Sequence, residues 1–211
     1  MKIAVIGATG WIGSTVVNEA LEQGHQVIAI SRQAPTIDRS NVTTYALDLL
    51  AQGGLKEALA DADAVISAIG GRANGEHSIV PNTATRLLKE LPELGVERLI
   101  WVGGAGSLKV ANGETLLSQA DFPNEYKGEA VAQGQALEVF ITSQSALNWL
   151  FVSPAAQIFP SERLGEYRIG GDELLTDADG NSKISVQDYA KALIDEAQNN
   201  RYQRQRISVA Y

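Results

Sequence analysis

Gly7-Ala8-Thr9-Gly10-Trp11-Ile12-Gly13 decides the fold. It follows Lys2-Ile3-Ala4-Val5-Ile6, an apolar run suited to a buried strand. It precedes residues 15–23, where Val16, Val17, Ala20 and Leu21 recur at helical spacing. Three glycines in a strand–turn–helix of this kind have separate tasks. Gly7 permits the tight turn, Gly10 lets the backbone approach an anion, and Gly13 allows the helix to pack closely on the sheet. The N–H groups around Trp11 and Ile12 then face a pyrophosphate, with the helix dipole behind them, and Thr9 lies inside the same loop. In this context the glycine pattern predicts a dinucleotide site; the plain alternative is a sharp turn without a ligand.

Outward from this turn the rhythm repeats. Apolar runs at 26–30, 43–47, 62–67, 98–102 and 147–152 are nearly continuous rather than alternating, as in strands buried on both faces of a parallel sheet. Gly24 stands where a helix C′ residue is expected. Further crossover helices are predicted over 55–60, 79–91 and 128–142. Alternating strands and helices imply right-handed crossovers and an α/β, doubly wound, Rossmann-like parallel sheet. After about Ser153 the pattern shortens. Strands are expected at 166–169, 173–175 and 206–210, with a helix from Ser185, as N-cap, to about Ala197. No linker interrupts the chain, so residues 1–211 read as one domain, of which about 153–211 form a small α/β cap on the substrate side.

Composition narrows the chemistry. The chain has 211 residues and a net charge of −8, against the basic face that nucleic-acid binding requires. Cysteine is absent, which excludes thiolate metal sites, and with only His25 and His77 a multi-His centre is not expected, nor is any metal. No apolar run approaches the roughly 18–20 residues that span a bilayer. Neither nucleic acid nor membrane is an expected partner, a cytoplasmic location is, and oligomeric state is not legible.

Other positions bear on the cofactor. An acid at the end of the second strand would bind the ribose hydroxyls and repel a 2′-phosphate, yet this strand ends in Ser31-Arg32. Arginine offers a planar, permanently charged fork for phosphate, which reads as preference for NADP(H) over NAD(H); the alternative is an arginine facing solvent. Asp48 stands after the third strand, either accepting from an adenine amino group with Leu49 against the ring, or capping the next helix. Ala68, Ile69 and Gly70 follow the fourth strand and are small enough for a ribose to pass close, or simply form a turn.

The glycine loop resembles that of the short-chain dehydrogenase/reductase superfamily, in its atypical branch. Trp101-Val102-Gly103-Gly104-Ala105-Gly106-Ser107-Leu108, Asn148–Ala156 and Ile184–Ala190 are similar to bacterial NAD(P)H-binding proteins described as NADH-flavin reductases. Relatives of that group include biliverdin-IXβ/flavin reductases and NmrA-like redox sensors. The resemblance spans the chain and implies a nicotinamide along Gly103 and Gly104, with Pro154, Ala155 and Ala156 on its carboxamide side. One departure matters. Catalytic members of the wider superfamily carry a Tyr with a Lys four residues on, whereas Tyr126 is followed at once by Lys127 and the fourth position is Ala130. Neighbours on a helix point about 100° apart, so Lys127 cannot serve Tyr126 in the usual way.

Together these features predict an NAD(P)H-dependent oxidoreductase that passes hydride to a flavin or a similar planar, conjugated small-molecule acceptor. That reaction needs no Tyr–Lys acid. Ser107 and Tyr126 are the candidate catalytic residues: Ser107 either hydrogen-bonds acceptor or nicotinamide or is a turn residue, and Tyr126 either lines the site or acts as an acid. The alternative is a non-catalytic NADP-binding redox sensor acting through protein partners. The polar loop 71–77 and the long connection 105–123 should border the open site.

Overall fold

The computed structural model describes residues 1–72 and 75–211. Among them the chain order is β1 (Lys2–Ile6), α1 (Trp11–Glu22), β2 (Gln26–Ser31), β3 (Val42–Ala46), α2 (Leu55–Ala58), β4 (Ala64–Ser67), α3 (Ile79–Glu93), β5 (Arg98–Val102), α4 (Asn124–Thr142), β6 (Asn148–Pro154), β7 (Gln157–Phe159), β8 (Arg168–Gly170), β9 (Lys183–Ser185), α5 (Val186–Asn199) and β10 (Gln205–Ala210). Eight strands form one sheet in the order β3-β2-β1-β4-β5-β6-β10-β8, parallel except where β8 runs against β10. The fold is the expected Rossmann-like α/β sheet. Its order reverses between β1 and β4, and that crevice is where ligands of doubly wound sheets bind.

The continuous apolar runs are explained by two cores. Ile3, Val5, Ile66, Ile100 and Val152 face α1 and α5, while Ala4, Ile6, Val65, Trp101 and Phe151 face α3 and α4. Helix α1 ends as its glycine foretells. Gly24 has φ +80°, and the bonds from Gly24 N to Leu21 O and from His25 N to Ala20 O close the left-handed cap.

The C-terminal part departs from expectation at two places. Residues 173–175 make no strand; Glu173 forms only an isolated bridge to Lys109. In compensation β7 and β9 pair as a separate two-stranded parallel sheet. Strands of three residues paired across such a separation leave too little periodicity to be read locally.

Ser185 caps α5 as expected, accepting from Asp188 N at 3.0 Å. Asp188 does more than complete the cap. Its fully buried carboxylate accepts from Leu164 N (2.8 Å), Gly165 N (3.1 Å), Ser185 Oγ (3.0 Å) and the Tyr211 hydroxyl (2.6 Å). Tyr211 in turn accepts from Ser185 N at 3.0 Å. One side chain thus joins loop 160–165, the start of α5 and the last residue. Burial pushes this carboxyl up, but the hydrogen bonds from Tyr211, Leu164, Ser185 and Gly165 outweigh it and hold it below the ordinary carboxylate value. A depressed carboxyl stabilises the fold above its unfolded value, about pH 4, and loses that contribution as pH falls through the folded value. Asp188→Asn, which turns an acceptor into a donor facing donors, should cost about 2–4 kcal/mol at neutral pH and flatten the melting temperature's decline below about pH 5, as read by thermal melts across pH.

Candidate cofactor and acceptor site

The glycine loop sits at the sheet's reversal. Gly7 N and Ala8 N both donate to Ile30 O, at 2.9 and 3.0 Å, which pins the loop to the end of β2. Gly7 has φ +86°, and a Cβ there would lie 2.5 Å from Ala68 O across the crevice. A Cβ at Gly13 would lie 2.0 Å from Gly7 O, so only glycine lets α1 start this close to β1. Gly10 differs. It is the N-cap of α1 with φ −72°, and a Cβ there meets nothing within 4 Å except Gly7 O at 3.3 Å. The folded chain itself hardly needs that glycine. The first intrahelical bond runs from Ser14 N to Gly10 O, and no side chain caps the turn, so the amides of Trp11, Ile12 and Gly13 begin the helix without one. An uncapped first turn beneath an open glycine is a cradle fit for a pyrophosphate.

The other candidate residues lie around the same edge. Ser31 is buried and its Oγ donates to Gln33 O, folding the chain so that Arg32 stands exposed. A cavity of about 370 Å³ opens between Thr9, Ser14 and Asn18 on one side and Pro35, Thr36 and Ile37 on the other. Asp48 is exposed and accepts from Leu50 N at 2.9 Å; it caps its own turn, while α2 is capped by Gly54 instead. Leu49 is buried in the core facing α3. Arg86 of α3 fixes this loop by donating to Leu49 O (3.0 Å), Ala51 O (2.7 Å) and Gly53 O (2.7 Å). Sequence reasoning passed over Arg86, because an arginine on an amphipathic helix reads as solvated. Ala68 and Ile69 stand opposite Gly7 across the crevice, and Gly70 follows them, exposed and beside Glu129.

Gly103 and Gly104 follow β5, and packing alone accounts for the first: a Cβ there would be 2.1 Å from the Phe151 ring. Pro154 ends β6, Ala155 is buried, and Ala156 N donates to Ser182 Oγ at 3.0 Å. Ser107 Oγ accepts from Arg206 at 2.9 Å, and Arg206 is paired with Asp172 at 2.6 Å. The serine is therefore anchored to β10, with its own proton still to donate. The connection 105–123 is anchored too, through Lys109 N to Asp172 O and Leu174 N to Lys109 O.

Tyr126 and Lys127 stand exposed on the first turn of α4, and the Arg72 guanidinium lies 5.1 Å from the Tyr126 ring centre. Where the superfamily's lysine would stand, Ala130 is packed so closely on the chain that a Cβ at Gly106 would be 2.8 Å from its own. Loop 71–77 folds onto the same turn; its Ala73 and Asn74 lie outside the described residues. Sequence reasoning singled out neither Glu129, which meets this loop at Gly71 and His77, nor Gln133, which reaches Ile69 O just before it.

This geometry agrees with what the chain is similar to. Residues 7–200 match the NAD(P)H-binding family. The chain belongs to that family. YwnB of Bacillus subtilis is 36% identical over 99% of this chain and 98% of its own. Among solved structures, a putative exported protein of Burkholderia pseudomallei is 44% identical with a TM-score of 0.89, each chain covered in full. A putative NADH-flavin reductase of Streptococcus pneumoniae is 35% identical with a TM-score of 0.83, over 100% of this chain and 99% of its own. Among the described residues no helix is long and apolar enough to cross a membrane.

The two glycines of the loop should separate cleanly. Gly10→Val should melt within about 3 °C of the parent yet show no cofactor-induced stabilisation, because its side chain fills only the cradle. Gly13→Ala should lower the melting temperature by about 5 °C or more, through the clash with Gly7 O. Thermal melts with and without NADPH check both.

Proposed function

We propose that the protein is a reductase that uses NADPH to reduce a flavin or a similar planar, conjugated acceptor. The observation that carries this reading is the start of α4, where Tyr126 and Lys127 are adjacent and Ala130 packs against Gly106. An NAD(P)H-binding chain built this way has no Tyr–Lys acid for alcohol–ketone chemistry. The Streptococcus pneumoniae relative, named a putative NADH-flavin reductase, supports the choice of acceptor.

Gly7, Thr9, Gly10, Trp11, Ile12 and Gly13 would hold the pyrophosphate through backbone amides. Ser31 and Arg32 would meet the 2′-phosphate, Asp48 and Leu49 the adenine, and Ala68, Ile69 and Gly70 a ribose. Gly103, Gly104, Pro154, Ala155 and Ala156 would border the nicotinamide. When bound, the dinucleotide supplies a hydride from the nicotinamide ring. The protein's part is to orient donor and acceptor faces and to exclude water between them. Ser107, whose Oγ accepts from Arg206, would donate its hydroxyl proton in a hydrogen bond into that region, while Tyr126 would shape the rim and solvent supply the proton. The same reading puts the reaction in the cytoplasm, with a small-molecule acceptor as the partner.

Three measurements test it. Arg32→Ala should weaken NADPH binding about ten- to a hundredfold, the worth of hydrogen bonds to a charged group, and leave NADH nearly unchanged; equal effects in calorimetric titration would remove the case for NADP. NADPH oxidation should respond to FMN, FAD or riboflavin above a no-acceptor control. In single-turnover hydride transfer Tyr126→Phe should cost only a few-fold and Ser107→Ala somewhat more. A true general acid contributes about 10²–10⁴-fold, so a thousandfold loss at Tyr126 would restore acid-assisted carbonyl reduction.

A further inference from the structure

A chain of hydrogen bonds runs from the buried core to the loop after β4, and every link in it has a fixed direction. Trp101 is fully buried, and its Nε1–H, which can only donate, reaches Gln133 Oε1 at 2.9 Å. That contact decides which end of the Gln133 amide is oxygen. Its Nε2 then donates to Glu129 Oε1 at 3.2 Å and to Ile69 O at 3.3 Å. The other carboxylate oxygen, Glu129 Oε2, accepts from Gly71 N at 2.9 Å, again a group that can only donate. His77 Nδ1 lies 3.1 Å from the same Oε2, and a carboxylate oxygen has no proton to give, so the hydrogen of this contact belongs to Nδ1.

Sterics close the same arrangement. A Cβ at Gly70 would lie 3.0 Å from Glu129 Oε1, one at Gly71 would lie 2.5 Å from His77 Cα, and one at Gly128 would lie 2.5 Å from His77 Nε2. Three glycines in two segments leave the room that this glutamate and histidine occupy. Both carboxylate oxygens must therefore accept, and a glutamine at 129 would turn one of them into a donor facing a donor whichever way it lay.

We infer that Glu129 is the positioning residue of the site. It holds the backbone of Ile69–Gly71, the wall of the crevice opposite the glycine loop, in the conformation that receives the dinucleotide, and it fixes His77 on the acceptor side in the Nδ1–H form. This rests on the proposed function only for the identity of the acceptor; the cofactor side needs no more than membership of the NAD(P)H-binding family.

The experiment is calorimetric titration of the full chain with NADPH, beside steady-state reduction of FMN. Glu129→Gln should raise the NADPH dissociation constant about tenfold, through a wall displaced by an unmatched donor. His77→Ala should leave NADPH binding within twofold of the parent and raise KM for FMN with kcat nearly kept, a split that general destabilisation would not produce. NADPH binding within twofold of the parent in Glu129→Gln overturns the inference, as does an equal loss of NADPH affinity in His77→Ala. If Glu129→Gln does not fold, nitrogen-15 spectra of the parent protein decide. His77 should be protonated on Nδ1 when neutral, and NADPH should shift the Gly71 amide; the opposite tautomer or an unmoved amide overturns it. Because the titration and the spectra use NADPH alone, a chain that binds NADPH but reduces no flavin would sink the reductase reading and still test Glu129.

Discussion

The contact between Gly13 and the carbonyl oxygen of Gly7 is the constraint on which the rest depends. With 2.0 Å available to a Cβ, no side chain of any kind can stand at Gly13 while β1 and α1 keep their spacing. That spacing brings the first turn of α1 to the edge of the sheet at the point where strand order reverses. The loop cannot drift, because Gly7 and Ala8 are bound to Ile30 and Gly7 abuts Ala68. The ends of β1, β2 and β4 are thereby locked to one another, and their C-terminal edges become one surface. Ligand binding at such an edge costs little ordering, since the backbone donors are already fixed by the fold.

The same economy of space marks the place on α4 where the familiar acid chemistry is missing. The position four residues after Tyr126 is Ala130, and its methyl group faces Gly106 so closely that a Cβ added at Gly106 would lie 2.8 Å from it. The helix instead spends its next turn on Glu129 and Gln133, which tie it to the loop after β4 and to Trp101. A helix that elsewhere would carry proton chemistry serves here to hold a wall.

What could be read from the sequence follows from how local each signal is. Strands β1, β2, β4, β5 and β6 are buried on both faces, so their apolar runs are unbroken, and the limits expected for β1 and β5 agree with those found. The glycine loop was legible because Gly7 and Gly13 answer demands set within a few residues, a positive φ at the turn and the closeness of the Gly7 carbonyl to α1. The start of α5 was legible because Ser185 and Asp188 are one turn apart. By contrast β7 and β9 pair over more than twenty residues, and residues 173–175 carry a strand-like apolar pair yet form no ladder, Glu173 making an isolated bridge to Lys109 while Leu175 packs on the core. Helices α1 and α4 begin four residues earlier than their apolar spacing suggested, since α4 opens on a polar turn and the first turn of α1 is the end of the glycine loop itself. Glu129, Gln133 and Arg86 escaped for a related reason: a polar side chain on a helix looks solvated until the loop that it grips is known.

Asp188 shows why the C-terminal segment cannot be treated as an attachment. Strand β10 lies between β6 and β8 in the main sheet, so this segment forms part of the sheet's interior rather than its margin. Tyr211, the last residue, returns its hydroxyl to Asp188 at the start of α5, and α5 packs beside α1 in the core that carries the glycine loop. Arg163, in the loop that Asp188 holds, pairs with the buried Glu19 of α1. Through these contacts α1, which begins at the glycine loop, is braced by loop 160–165, α5 and Tyr211. The loop's geometry is thus a property of the whole sheet, although the residues that form it are seven consecutive ones.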